Sequence, residues 1–477
     1  MNDLKRQAVN GVMWKLGNSL CTTGVTFVVS VILARLLSPS DYGMLAMIAV
    51  FTVFLQIFTD GGLTTALVRK EDRTETDMAT VFWYNLFACY AVYAVLFIAA
   101  PYVEAFYAMK GLGTVMRVTT SSLLISPFGG MQSMLMTTRI DFKTPAFISV
   151  GASLASGAVA VAMAFLGYGV WALVAQGLVS SVVTVVSLVM LVRWYPKSFF
   201  NRKAFKELFG FSSKMLLSQI LTTVYAKIAP LFIGKYYSPA DLGALERGRG
   251  WAFLPGDTLT KTIGAVSFPV LSKVQDDTAL LRDAYRKMIR LSSFIVFPMC
   301  LGLASIGRPL TLFVLTDKWE CSIPFLYVYC YIAMWMPMNS LNLNLLLVKG
   351  RSDLTLRLEI LKKTIGFSML AVTLPLGLWY FCAGDLICAS GIFLVMNLYY
   401  TGKILDWGVL RQLRDVTPYL LNALCMVGVS LGVQMLCETN LTKVLVAIPS
   451  AVMYYMITSY VFFKGVASEL LNMLRRR

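Results

Sequence analysis

Twelve basic residues fall within apolar runs long enough to cross a bilayer; Arg35, Lys362, Lys363 and Lys443 sit at run ends, and eight remain: Lys15, Arg117, Lys214, Lys227, Arg247, Arg249, Lys261 and Arg290. Only three acids, Asp60, Glu246 and Asp257, lie comparably deep. A charge at the bilayer centre costs on the order of 3 kcal/mol, so such groups must face a partner or a wet cavity. The spacings Glu246 to Arg249 and Asp257 to Lys261 permit ordinary helical salt bridges, but pairing leaves a surplus of base. The chemistry of that surplus is attraction of anions, and guanidinium forks suit phosphate. The acids are candidates of another kind. Ionisable groups in low dielectric shift their proton affinity, which makes these three candidate coupling sites for a proton or sodium ion.

Little else in the chain points to reaction chemistry, and no enzymatic activity or cofactor is expected. There is no histidine, and the nine cysteines are scattered without a CxxC pair, so common zinc sites cannot be assembled. Asp276-Asp277 is the chain's one Asp-Asp pair. A metal-dependent glycosyltransferase would need a second acidic cluster and a nucleotide-binding fold.

The elements that must carry these residues are membrane helices. The hydrophobic fraction is 57% and the charged fraction 14%, against about 25% charged in a soluble domain. Apolar runs of span length, ~20 residues, recur near 11–37, 42–66, 79–100, 113–136, 145–166, 170–192, 209–233, 242–270, 288–306, 322–348, 360–381, 385–402, 418–436 and 443–463. Backbone polar groups in lipid must be satisfied within the segment, and the alternating pattern of a β-barrel is missing. The expected fold is an all-α polytopic membrane protein of about fourteen spans.

The net charge of +17 invites a nucleic-acid reading. Placing the charges removes it. With the N-terminus inside, 26 basic residues fall in inner segments and four in outer loops, the bias expected of cytoplasmic loops. Both termini are expected in the cytoplasm, with the basic loops also attracting anionic membrane lipids. The first helix lacks a signal-peptide pattern and is expected to be retained. The loops are short, with no room for a large outer catalytic domain.

At 100° per residue, Glu246, Arg249, Phe253, Asp257, Thr260, Lys261 and Gly264 share one face of the eighth span, and Trp251, Ala252, Pro255, Leu259, Ile263 and Val266 the other. The first face is expected to line a polar space, and Pro255-Gly256 to kink or break the helix. Gln219, Thr223 and Lys227 form a second polar stripe on the seventh span. Lys214, Lys15 and Arg290 lie near inner ends and Arg117 near an outer end, where interfacial anchoring is the competing role. Pro127 with Gly129-Gly130, and Pro337 with Asn339, Asn342 and Asn344, can bend helices or bond them together.

The chain also repeats itself. LLSPSDYGML from Leu36 matches YYSPADLGAL from Tyr236, so Ser38, Pro39, Asp41, Gly43 and Leu45 map onto Ser238, Pro239, Asp241, Gly243 and Leu245 at an offset of 200. Arg139 and Asp141 echo in Arg351 and Asp353 at an offset of 212. An even number of helices separates the copies, which implies two parallel six-helix lobes. The expected organisation is an N-terminal lobe over 1–193, a basic linker over 194–208, a C-terminal lobe over 209–405, and two further helices with a basic tail over 406–477.

The stretch from Arg35 through Leu36, Leu37, Ser38, Pro39, Asp41, Tyr42 and Gly43, then Asp60-Gly61-Gly62 before Ala66-Leu67-Val68, resembles the bacterial polysaccharide flippases. The RIDF segment Arg139–Phe142 fits the same pattern. The likeness is to the lipopolysaccharide, O-antigen and colanic-acid exporter branch of the family that also holds lipid II flippases and multidrug exporters. The resemblance implies a polyprenyl-diphosphate-linked oligosaccharide moved from inner to outer leaflet of the bacterial inner membrane by alternating access of two lobes. It implies as partners membrane lipids, a polysaccharide polymerase and other biosynthetic membrane proteins. A multidrug exporter of the same fold would need acids for cationic drugs, which the basic excess disfavours. A membrane polymerase or ligase would need reactive groups in outer loops that are short and poor in candidates.

Overall fold

A computed structural model describes residues 21–465 apart from 61, 71 and 139–142. Every regular element among the described residues is helical, and the chain divides into two compact units between Gly243 and Ala244. The first unit contains α1 (Cys21–Leu36), α2 (Pro39–Asp60), α3 (Leu63–Arg69), α4 (Glu75–Tyr107), α5 (Leu112–Thr120), α6 (Ser122–Thr138), α7 (Lys143–Phe165), α8 (Val170–Val192) and α9 (Arg202–Tyr236). After its first turn, α10 (Pro239–Ser272) belongs to the second unit. There it is joined by α11 (Thr278–Ser305), α12 (Gly307–Leu315), α13 (Ile323–Ala333), α14 (Met336–Val348), α15 (Ser352–Thr373), α16 (Leu378–Leu386), α17 (Phe393–Leu405), α18 (Val409–Met435) and α19 (Asn440–Phe462).

Among the described residues nine helical stretches are long and apolar enough to cross a membrane. They are α2, α4, α7, α8, α11, Asp317–Val348, Leu378–Leu405, α18 and α19. The protein is therefore a multi-pass α-helical membrane protein. Helices α9, α10 and α15, of 35, 34 and 22 residues, have the length to span but carry more charge.

Three local expectations change. The run over 42–66 is not one helix: α2 stops at Asp60, and Gly62 starts α3 in a left-handed conformation at φ 70°, which favours glycine. Conversely, α10 runs unbroken through Pro255. The expected break at 382–384 sits earlier, at Leu374–Gly377, where Gly377 adopts φ 137°. Leu378–Leu405 is then one rod, with a π-helical turn over Ile387–Ile392.

The repeated motif has one local cause. In the first copy, the Asp41 carboxylate accepts from the Ser38 backbone N–H at 2.9 Å and from its hydroxyl at 2.7 Å, while the Asp41 N–H donates back to Ser38 Oγ at 3.3 Å. The second copy repeats this between Ser238 and Asp241 at 3.1, 2.7 and 3.1 Å. Each is a reciprocal capping box, with proline at the first helical position where its fixed φ suits the helix. The two turns also interlock. A Cβ on Gly43 would overlap the Pro239 carbonyl, and one on Gly243 would overlap the Pro39 carbonyl. Inside the second unit, side-chain bonds join helices as expected of intramembrane asparagines. Asn397 donates to Asn339 at 2.8 Å, Asn344 to Ser267 at 2.7 Å, and the Tyr285 hydroxyl to Asn342.

Alanine at Gly43 or Gly243 has to push backbone against backbone, and overpacking of this kind costs about 1–3 kcal/mol. Gly43→Ala and Gly243→Ala should each lower the melting temperature of the detergent-purified protein. Gly250→Ala, where a Cβ meets nothing within 4 Å, should leave it unchanged. Equal melting of all three would remove the interlock as a stability element.

Candidate functional site

Small residues let α10 lie close along the helices that face it. Gly248, Ala252, Gly256, Thr260 and Gly264 recur every four residues, a small-xxx-small stripe. A Cβ on Gly248 would come within 2.7 Å of the Ser322 carbonyl, and one on Gly256 within 2.9 Å of the Ala333 carbonyl. Ala252 is fully buried.

This close approach brings Arg249 against α13. Its guanidinium carbon lies 5.3 Å from the Phe253 ring centre and 5.4 Å from that of Tyr329. The two rings meet edge-to-face at 5.6 Å. A cation held over aromatic faces keeps part of its electrostatic stabilisation without water. The Asp385 carboxyl on α16 faces both Arg249 and Tyr329, and the charges of Glu246 and Asp257 also act on Arg249. No salt bridge closes among these four charged residues. The depths agree with helix geometry. Arg249, Tyr329 and Asp385 lie about 9–15 Å beyond the starts of α10, α13 and α16, at 1.5 Å per residue.

The other anticipated bases do not join this cluster. Arg247 lies over the buried Trp319 ring at 4.9 Å. Lys261 is exposed, on a side of α10 that also presents Leu254, Thr258, Thr262 and Val266. The face anticipated as polar therefore splits: Phe253 packs on the core, Arg249 and Asp257 are half-buried, and Lys261 is open. Arg290 is an ion-pair partner of Asp415, which also binds Arg286. Arg117 donates to the Phe97 carbonyl at 3.2 Å and stacks on the Phe97 ring at 4.3 Å. Lys227 is half-buried on α9, in the first unit. Lys15 lies outside the described residues, as do the side chains of Lys214 and Asp60. The anticipated salt bridges Glu246–Arg249 and Asp257–Lys261 do not form. Asp277 of the acidic pair caps α11, accepting from Ala279 and Leu280 N–H at 2.9 and 3.0 Å.

The first unit holds a different kind of space. The helix break at Gly62 opens a cavity of about 490 Å³ lined by Thr59, Thr64, Asn85, Ser126 and Ser133, with Pro127 and Gly130 on the α6 wall. The buried Asn85 carbonyl oxygen has no partner. Hydroxyls and an amide without fixed charge suit a hydroxyl-rich ligand.

Asp385 and Tyr329 are not among the residues that local spacing singles out. A signal exists, since Asp385 is a lone acid in the apolar run FCAGDLICAS. A helix break at 382–384 puts it at a span end, where a charge needs no explanation.

A family profile described as "Polysaccharide biosynthesis protein" matches residues 32–324. The chain belongs to this family. Its relatives include the teichuronic acid biosynthesis protein TuaB of Bacillus subtilis (strain 168), 24% identical over 356 residues, 74% of each chain. The succinoglycan biosynthesis transport protein ExoT of Rhizobium meliloti (strain 1021) is 26% identical over 321 residues, 67% of this chain and 65% of that one. The fold is similar to that of the lipid II flippase MurJ, whose structure was solved in an inward closed conformation. That structure aligns with TM-score 0.75 and 13% identity over 96% of this chain and all of its own.

In this family member the Arg249–Asp385 cluster should behave as a coupled unit. Residues in one electrostatic network show interaction energies of about 0.5–3 kcal/mol. Arg249→Gln and Asp385→Asn should each lower thermal stability in detergent, and the double variant should lose less than their sum. Strict additivity in that cycle would mean the two side chains do not interact.

Proposed function

We propose that the protein is a flippase that carries a polyprenyl-diphosphate-linked oligosaccharide from the inner to the outer leaflet of the bacterial inner membrane, for cell-surface polysaccharide synthesis. The observation that carries this reading is Arg249. Its guanidinium sits inside a helical bundle against two touching aromatic rings, balanced at a distance by Asp385 and closed into no salt bridge. Such a cation is available to a diphosphate at the cost of few protein contacts. Arg247 and Lys261, and Lys227 in the first unit, are further cationic candidates in this proposal, and the hydroxyl-lined cavity of the first unit takes sugar. The names of the relatives, in teichuronic acid biosynthesis and succinoglycan transport, support polysaccharide as the cargo class.

In this reading the helices make fourteen passes with both termini in the cytoplasm. The two lobes, 1–193 and 209–405, follow the sequence repeat, with 194–208 as linker and 406–477 as an addition. They alternate access to the two leaflets, with Asp60, Glu246 and Asp257 as coupling candidates, joined by Asp385. A polymerase acting on the exported unit is a proposed partner.

Depletion of the protein from its own bacterium should build up complete lipid-linked units on the inner leaflet. Accumulation of unpolymerised units on the outer leaflet would instead mean a polymerase or ligase. Arg249→Gln and Lys261→Gln should each reduce export at least about ten-fold, equivalent to ~1.4 kcal/mol, at unchanged protein level in the membrane. Arg249→Lys should fall between, because an ammonium keeps the charge and loses the fork. Normal export by both neutral variants would discard the cationic pathway.

A further inference from the structure

A second cluster of arginines lies apart from the Arg249 site, where α11 and α18 begin. A cavity of about 630 Å³ is lined by Arg282, Arg286, Arg411 and Arg414, with Trp407 on its wall. Three acids, Asp283, Asp406 and Asp415, share the lining. Their capacity is already engaged unevenly. Asp415 takes Arg286 in a two-point bridge, both bonds at 2.7 Å, and takes Arg290 as well. By contrast, the side chains of Arg282, Arg411 and Arg414 make no hydrogen bond or salt bridge among the described residues. Helix geometry makes two of these charges costly. Arg411 and Arg414 sit in the first two turns of α18, whose N-cap Gly408 offers no side-chain acceptor. Cations there oppose the helix dipole, while an anion would be favoured by the dipole and by the guanidinium forks together.

The helix starts around the cavity say what carries the anion. In the first turns of the two helices, Leu280, two residues before Arg282, is 52% exposed, and Leu410, just before Arg411 in sequence, is 83% exposed. Trp407 is buried under the Arg286 guanidinium at 5.8 Å, and tryptophan is enriched at the membrane–water interface. Exposed leucine at the same depth along the helix as unpaired arginine, on both helices, is the pattern of a segment that meets acyl chains and headgroups at one level. A soluble anion would gain nothing from the leucines. We propose that this cavity binds the phosphate headgroup of an anionic phospholipid, drawn from the leaflet it faces. The proposal depends on the chain being a membrane protein and stands whether or not the protein is a flippase.

The test uses the full-length protein in detergent, with native mass spectrometry to count bound lipid. Phosphatidylglycerol and phosphatidylcholine are added separately, with and without inorganic phosphate. Phosphatidylglycerol should be retained at least about ten-fold better than phosphatidylcholine, a difference of ~1.4 kcal/mol, and Arg411→Gln/Arg414→Gln should abolish that preference. Both side chains are exposed and unpaired, so the variant should fold. If it does not, dose-dependent thermal stabilisation of the unaltered protein by phosphatidylglycerol, and not by phosphatidylcholine, is the deciding measurement. Equal retention of the two lipids, or an unchanged preference in the double variant, overturns the site. Stabilisation by inorganic phosphate without lipid retention overturns the lipid source and leaves only a soluble anion.

Discussion

The interlocked pair of capping turns is the constraint on which the arrangement of the first unit rests. Each turn closes its own helix start through a serine–aspartate exchange and then presents glycine to the backbone of the other. Backbone contact at that distance permits no side chain on either partner. The geometry therefore requires Gly43 and Gly243 together, and each copy of the motif is explained by the other. What looks in sequence like a repeat is in three dimensions one reciprocal joint. Helices α2 and α10 both start at this joint, and Arg249 lies further along α10, in the second unit.

Charge is placed in this bundle by controlled distance. Arg286 and Arg290, in the first half of α11, are tied to Asp415 in the second turn of α18, a local solution that removes charge from further use. Arg249 is treated differently. Aromatic faces hold it, and acids stand near without contact. The small-residue stripe of α10 makes this feasible, since a bulkier contact would hold the guanidinium away from Tyr329. Polar function therefore depends on residues with almost no side chain.

Much of the fold is legible in the order of residues alone. Span-length apolar runs, the resemblance around Ser38–Gly43 and the basic bias point to a multi-pass helical protein of the polysaccharide family. The site is less legible. Periodicity places Arg249 and Lys261 on one face, but a face of seven residues spans both a buried edge and an open one. The turn at Leu374–Gly377 is hidden because Pro375 lies in a run as apolar as its neighbours, and Asp385 is hidden with it. Contacts between distant segments, such as Arg290 with Asp415, leave no mark in local spacing.

The π-helical turn over Ile387–Ile392 has a consequence for how this rod tolerates change. Such a turn holds one residue more than the α-helix around it, so the segments on either side are out of phase by about 100°. Asp385 lies before the offset and Asn397, bonded to Asn339, after it. Loss of one residue here would leave a span of adequate length, yet would turn the acid away from Tyr329 while the asparagine stayed engaged. The length of this short segment acts as an angular setting: it encodes a direction, and a comparison of chains by residue type alone would not register it.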